Sequence, residues 1–354
     1  MPMIGKKQRD IRNDNKSVII DSLLRSQLTL ADLEQQLKLS HTALGKVMNE
    51  LLQLNVVRSI GVKAGDMGRP SALYDINPDC GVAAAVCFGV KRLEIFIVDM
   101  KGLQINKFVS TDEFSCADEA LSFTENTIKT LLKHYRTDGA DLSTICVSLP
   151  RKGLGASSFE ECENSFKNGF SEFFRNTEII VKSNNDFWAI GESKYSALHH
   201  FKNKGALLCE MEGDVGCSLF FNRVNYSGNK IEKGSINSLL GTDVIGMLQS
   251  VCGKTWEEIA TGYRSGDKQT IKSVNDALSP LFGRVAESAF LLGVSVVIIG
   301  GALSSLGSEF LNAVNRALSA RFAAKAVFSE IEGRSPSCSG AVWCASYTSL
   351  KKLL

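Results

Sequence analysis

Residues 86–99 read VCFGVKRLEIFIVD: an apolar run, a glycine, then a second apolar run closed by Asp99. Neither run alternates with polar residues, so both read as strands buried on two faces, joined in a hairpin through Gly89. The glycine carries the functional question. A turn of this kind after a buried strand either cradles a phosphate on its backbone N–H groups or only reverses the chain.

Outward from this hairpin the pattern is β-rich. GVAAAVCFGV, LEIFIVDM and LQINKFVST precede a helix, ADEALSFTENTIKTLLKHY, and STICVSLP is a further strand. TEIIVKSNND is a strand ending in polar residues, and DFWAIGESKYSAL is a helix. GALLCEM and CSLFFNRVNYSG form a second hairpin, followed by a helical region from about residue 238 to 293. VSVVIIGG is a strand ending in a glycine pair, SSLGSEFLNAVNRAL a helix, and CSGAVWCASYTSLKKLL the last helix. A β-rich start, α/β units, a second hairpin and a returning helix predict two similar lobes with a cleft between them.

The first eighty residues differ. NKSVIIDSLLRS is a helix behind an Asn15 cap, and Thr29 caps LADLEQQLK with Asp32 in capping-box position. Ser40 caps HTALGKVMNELLQL, whose apolar face is Leu44, Val47, Met48, Leu51 and Leu54. Two short helices joined by a tight link, then two strands around a polar glycine-rich loop, predict a winged helix-turn-helix. In that geometry the start of the third helix enters the major groove, so Ser40, His41, Thr42, Ala43 and Lys46 are the candidates for base and phosphate contacts. Lys63 on the wing joins them. Arg69, within Gly68-Arg69-Pro70, is placed on an extended loop that can enter a narrow minor groove; the plain alternative is that the tripeptide is only a loop. A three-helix protein-interaction module is the competing reading of the whole head.

Charge agrees with a polyanion partner. Up to residue 70 eleven Lys and Arg stand against seven Asp and Glu, whereas the whole chain of 354 residues carries only +2. At 44% hydrophobic and 22% charged the composition is that of a soluble globular protein. FLLGVSVVIIGGAL is too short for the roughly 20 residues a membrane span needs, and the N-terminus is polar, so a cytoplasmic location is expected. The ten cysteines are scattered, mostly within apolar runs, and read as reduced, buried small hydrophobes.

Taken together these features resemble the ROK family of repressors, open reading frames and sugar kinases, built on the actin and hexokinase fold. LTLADLEQQLKLSHTALGKVMNELLQLNVVRSIG, then GRP, then YDINP, is similar to the reader domain and linker of the repressor branch. NNDFWAIGE resembles the family's sugar-side Asn-Asp helix, VVIIGGALSSLG its adenosine-side strand and glycine turn, and SGAVWCASYTSL its C-terminal helix. The resemblance implies three parts: residues 1–80 a winged helix-turn-helix and linker, 81–183 plus 338–354 one lobe, and 184–337 the other. It implies a sugar-side ligand set of Asn164, Asn185 and Asp186, the last matching the family's general base. Asp186 also has a plain reading as a helix N-cap.

The kinase chemistry of the family is not matched. Where its Asp-x-Gly-Gly-Thr turn serves magnesium and phosphate, this chain has Cys87, Phe88, Gly89, Val90 and Lys91. Where its Gly-Thr-Gly-x-Gly loop passes the nucleotide, Glu212, Gly213, Asp214, Val215 and Gly216 would set two carboxylates against a triphosphate. Its Gly-Glu-Ile-Gly-His segment becomes Gly234, Ser235, Ile236, Asn237 and Ser238, and Cys252 stands without the other ligands of a zinc site. The expectation is therefore a repressor of carbohydrate-related genes that needs no metal and no cofactor and has no enzymatic activity. It works as a homodimer or tetramer on a two-fold operator in double-stranded DNA, with a sugar or sugar phosphate as effector. The alternatives are an ATP-dependent sugar kinase with a regulatory head, and a regulator that answers to a partner protein.

Overall fold

The computed structural model describes residues 8–65, 68–89, 92–133, 142–150, 153–195, 206–212, 214–221, 224–225, 244–319, 324–329 and 335–354. The head begins with α1 (Gln8–Leu23), followed by β1 (Leu28–Thr29), α2 (Leu30–Leu37), α3 (His41–Gln53), β2 (Val57–Gly65) and β3 (Gly68–Ile76). The caps expected at Thr29 and Ser40 form. Thr29 Oγ1 accepts from Asp32 N at 3.2 Å while Asp32 Oδ2 accepts from Thr29 N at 2.9 Å, and Ser40 Oγ accepts from Ala43 N at 3.3 Å. Lys38 ends α2 in the left-handed region at φ 55°, which turns the chain sharply into α3. Ile19, Ile20, Leu33, Leu44, Met48, Leu51 and Val56 fill the core between helices and sheet.

Two local expectations need correction. Asn15 is not a cap, because α1 already runs from Gln8. Arg12 and Lys16 both reach Glu50 on α3, so tertiary ion pairs hold turns that local signals leave open. Gly68-Arg69-Pro70 is the start of a strand, not a loop. β3 is central in the order β1-β3-β2, a place that excludes proline unless the ladder is broken, and the register shifts between Lys63 and Gly65, opposite Pro70.

Among the described residues the body holds two five-stranded sheets of the same plan. In the first, β4 (Val82–Gly89), β5 (Arg92–Asp99) and β6 (Gln104–Ser110) run antiparallel, and β7 (Leu142–Leu149) and β8 (Glu178–Ser183) add parallel strands beyond β4, giving the order β6-β5-β4-β7-β8. In the second, β9 (Ala206–Glu212), β10 (Asp214–Phe221) and β11 (Val224–Asn225) run antiparallel, and β12 (Val296–Gly300) and β13 (Lys325–Phe328) add parallel strands beyond β9. The order β11-β10-β9-β12-β13 repeats the first sheet position by position. The hairpin of residues 86–99 is the β4–β5 pair, with Cys87 opposite Glu94 and Gly89 opposite Arg92.

Alternation along β4 assigns the two faces of the first sheet. Val82, Ala84, Val86 and Phe88 face α4 (Ala117–Lys133) and α5 (Phe159–Phe173), a helix between β7 and β8 that the sequence reading passed over. Ala83, Ala85 and Cys87 face the last helix, α11 (Pro336–Lys352). Around the second sheet come α7 (Val244–Cys252), α8 (Trp256–Arg264), α9 (Lys268–Leu291) and α10 (Ser308–Ser319). Among the described residues the expected long helical region is three helices, divided where Thr255 forms a capping box with Glu258 and where Asp267 caps α9.

One helix belongs to both halves. α6 (Asn184–Tyr195), assigned by sequence boundary to the second lobe, buries Phe187 against α11 and the first sheet. Its Trp188 ring lies over Gly300 at the end of β12, close enough that any Cβ there would collide with it, and its Glu192 bonds to Ser329 just after β13. α11 likewise joins body to head. Tyr347 meets Asp21 of α1, Lys16 Nζ donates to the Leu354 carbonyl at 3.1 Å, and one continuous core runs from Ile19 and Leu51 to Ala341 and Val342.

Candidate functional site

The exposed end of α3 is the first candidate. Ser40, His41, Thr42 and Lys46 are exposed at its start and along its outer face, with Ala43 half-buried among them. Ser40 serves also as the cap, so its hydroxyl fixes where the helix begins while its neighbours point outward. Lys63 is exposed but engaged, its ammonium 3.3 Å from both oxygens of Asp32. Asp32 is held below the usual carboxylate range, first by the hydrogen bonds from Thr29 and then, against a small effect of burial, by Lys63. The lysine therefore ties the β2–β3 hairpin to α2, a surface pair worth about 0–1 kcal/mol. Arg69 has its backbone in β3, and its side chain lies outside the described residues.

The second candidate is at the C-terminal ends of β4, β7 and β8, where α6 begins. Parallel strands leave such ends open for ligands, because the connections that follow them diverge. Asn184 fastens them: its Nδ2 donates to the Phe88 carbonyl at 2.8 Å and its Oδ1 accepts from Ser148 Oγ at 2.6 Å. Ser183 Oγ accepts from Asp186 N at 3.2 Å and donates to Asp186 Oδ2 at 2.7 Å. Ser183, not Asp186, therefore caps α6, and Asp186 sits three residues on, half-buried, with its carboxylate turned back to the Ser183 hydroxyl. Asn185 is buried beside it.

Asn164 is not brought to this group. It stands exposed on α5, in the helical layer on the opposite face of the sheet from α6. Asn184, Ser148 and Ser183 were missed by sequence reasoning, although Ser183-x-x-Asp186 has the capping-box spacing that could have marked Ser183.

Cys87 occupies the strand end nearest this opening, and it is buried. Burial, then a hydrogen bond with Cys338, raises its thiol well above the usual range, so it stands there as a neutral group that offers nothing to a divalent cation. Gly89 is exposed at the turn, while Val90 and Lys91 lie outside the described residues. Of the second phosphate-loop position, Glu212 and Asp214 face each other across the β9–β10 pair in backbone register, with Val215 and Gly216 following in β10. Gly213, the side chains of this hairpin and residues 234–238 lie outside the described residues. Cys252 ends α7, half-buried.

A doubled five-stranded sheet with helices on both faces, a helix shared between the halves and an appended helical head define a two-lobed α/β fold. Solved structures share this fold: a ROK family transcriptional regulator described as a homolog of the E. coli MLC protein superposes with TM-score 0.71 at 14% identity, over 97% of this chain and 98% of that one. A ROK hexokinase from Thermus thermophilus gives TM-score 0.56 at 13% identity, over 75% of this chain and 97% of its own. A ROK glucokinase from Streptomyces griseus, solved with glucose and AMPPNP, gives 0.53 at 14%, over 75% and 99%. No family model and no curated protein matches the sequence. The likeness establishes a shared fold.

Proposed function

We propose that this protein is a cytoplasmic DNA-binding transcriptional regulator, a repressor of carbohydrate-related genes. Its head, residues 1–80, is a winged helix-turn-helix. Its body, 81–183 plus 338–354 and 184–337, is a sugar-kinase-like module that senses an effector and dimerises without transferring phosphoryl groups. The observation that carries the reading is the capped α3 with Ser40, His41, Thr42 and Lys46 exposed on a basic head. Coverage supports it. The two kinases match about three-quarters of this chain and nearly all of themselves, leaving a remainder of the head's size, whereas the regulator matches almost throughout.

The N-terminal turns of α3 enter the major groove, with Lys46 on phosphate and His41 and Thr42 at base edges, and Arg69 reaches an adjacent minor groove. Two heads of a dimer read a two-fold operator. In the cleft Asp186 and Asn185 accept and donate hydrogen bonds to a polyol, a sugar or sugar phosphate, held by the frame that Asn184 and Ser148 set. Coupling of about 1–3 kcal/mol between that ligand and the spacing of the heads suffices for a switch. Cys87, where the family's kinases carry the metal-side aspartate, argues against phosphoryl transfer.

Binding to duplex DNA tests the first half. The affinity falls with salt, and Lys46→Ala lowers it across all sequences while reducing the slope of log K against log salt by roughly 0.9, the loss of one phosphate contact. Affinity independent of salt, or unchanged by both Lys46→Ala and Arg69→Ala, would remove the DNA assignment. The kinase reading draws on the kinases that share the fold. Turnover of ATP with a panel of hexoses, abolished by Asp186→Asn, would establish it in place of the sensor.

A further inference from the structure

Head and body meet at a buried ion pair. Asp75, near the end of β3, is 4% exposed, and Lys101 sits in the turn between β5 and β6. The Lys101 ammonium donates to both carboxylate oxygens of Asp75, at 3.0 Å to Oδ1 and 2.8 Å to Oδ2. Gln27 Nε2 donates to Oδ2 at 3.2 Å, and Ile76 N donates to Oδ1 at 2.8 Å. Each oxygen therefore accepts two hydrogen bonds, one from the head and one from the body.

The groups on either side of this pair are themselves held. Asp99 Oδ1 accepts from Lys101 N at 2.8 Å and from Leu103 N at 2.9 Å, which fixes the turn that carries the lysine. Ser346 of α11 donates to the Asp99 carbonyl at 3.1 Å, and Met100 N donates to the Pro78 carbonyl at 3.3 Å. On the head side Asn77 donates from its side chain to the Asn55 carbonyl at 3.0 Å and from its backbone to the Val56 carbonyl at 2.9 Å. The other contact between head and body, α1 on α11, is a broad apolar core flanked by polar contacts at Lys16 and Asp21. Apolar burial is non-directional and sets a distance, whereas hydrogen bonds demand an angle. The clamp at Asp75 is the part of the junction with the strictest angular demand.

We propose that Asp75 and Lys101 are positioning residues for DNA recognition: they fix the angle of the head on the first lobe and so set the half-site separation that the two-fold protein accepts. The inference rests on the reading of this chain as a dimeric DNA-binding regulator, and it adds what selects the spacing of the operator. Two heads engage one duplex together only at separations of about one helical turn or its multiples, roughly 10–10.5 base pairs each. A head free to turn accepts several separations and gains less at any one of them. Joint engagement is worth about 10²–10⁴ in affinity, and it is lost where the geometry forbids it. The ion pair reserves that gain for one separation, and so discriminates among operators without touching a base.

Full-length protein selects duplexes from a random-sequence library, and affinities for the best paired sequence and for one of its half-sites are then measured. The wild type should return one half-site in pairs at a single separation. In the double variant Asp75→Asn/Lys101→Met, which leaves neither charge buried without its partner, the same half-site should return at several separations. The advantage of the pair over the single half-site should fall about tenfold or more. Lys101→Arg, whose guanidinium can reach both carboxylate oxygens, should restore the single separation. A merely structural ion pair predicts otherwise: half-site and paired binding weaken alike, at an unchanged separation. That result, or wild-type separation and wild-type advantage in the double variant, overturns the proposal and leaves DNA binding standing. A wild type that enriches no paired sequence removes the regulator reading and the proposal with it. If the double variant fails to fold, Lys101→Met alone takes its place with the same outcomes, because Asp99 and not the lysine side chain holds the turn.

Discussion

Adding one methyl group at Gly340 should unseat α11. A Cβ built there lies 1.6 Å from the Phe187 carbonyl oxygen, 2.5 Å from its carbon and 2.9 Å from Gly191 N. Ordinary contact starts at 3.4 Å, so the two helices must part by about 1.8 Å at their crossing. Both sides of the clash are backbone, so no rotamer change relieves it. A gap of 0.5–1 Å already forfeits roughly a quarter to a half of a dispersion contact, and here the layer of Phe187, Ala341, Val342 and Ala345 loses more than that. Over-packing by side chains costs about 1–3 kcal/mol, which places Gly340→Ala at about 3 kcal/mol or above. Gly45 in the middle of α3 is the control: a Cβ there meets nothing within 4 Å, and Ala in place of Gly in a helix gains up to about 1 kcal/mol. Urea titrations followed by circular dichroism compare the two. The same substitution should lower the midpoint at one site and raise it at the other. A Gly340→Ala protein that unfolds at the wild-type midpoint would refute the close crossing and the reasoning built on it.

Asn184→Ala leaves the buried Ser148 hydroxyl and the Phe88 carbonyl without their side-chain partner, for an expected loss of about 1–3 kcal/mol in urea. Asn184→Asp, which can accept from Ser148 but not donate to Phe88, should recover only part of it. Burial raises the Glu94 carboxyl, but Lys107 at 2.7 Å and Arg92 at 3.1 Å outweigh it and hold it below the usual range. Its folded value thus lies under the unfolded one of about 4.3, so its contribution is complete above that pH and disappears as pH falls through the folded value. Between pH 7 and about pH 3.5 the melting temperature of the wild type should fall further than that of Glu94→Gln. An equal fall would deny Glu94 that part.

What the sequence made legible was local. Thr29 with Asp32 and Ser40 with Ala43 are three residues apart, and their caps and the helices they start could be named from spacing alone. The β4–β5 hairpin followed from two apolar runs and a glycine. The start of α1 could not be read, since Glu50, which pairs with Arg12 and Lys16, is far along the chain. The cleft was half legible for the same reason. Asp186 and Asn185 were found in a motif, but the bonds that fasten their helix join Asn184 to Ser148 and to Phe88, 36 and 96 residues away. Asn164 was matched by motif before α5 was known, and α5 lies on the face of the first sheet opposite α6. β13 is four residues long, pairs only with β12 among the described strands, and leaves almost no periodic signal.

The position of α11 bears on the order in which the chain is made. Until residues 336–352 leave the ribosome, the Ala83, Ala85 and Cys87 face of the first sheet has no cover, and the apolar underside of the head, at Ile19 and Ile20, is short of part of its seat. The head is translated first and completed last. A chain cut short before α11 therefore lacks the layer that closes both the first sheet and the underside of the head.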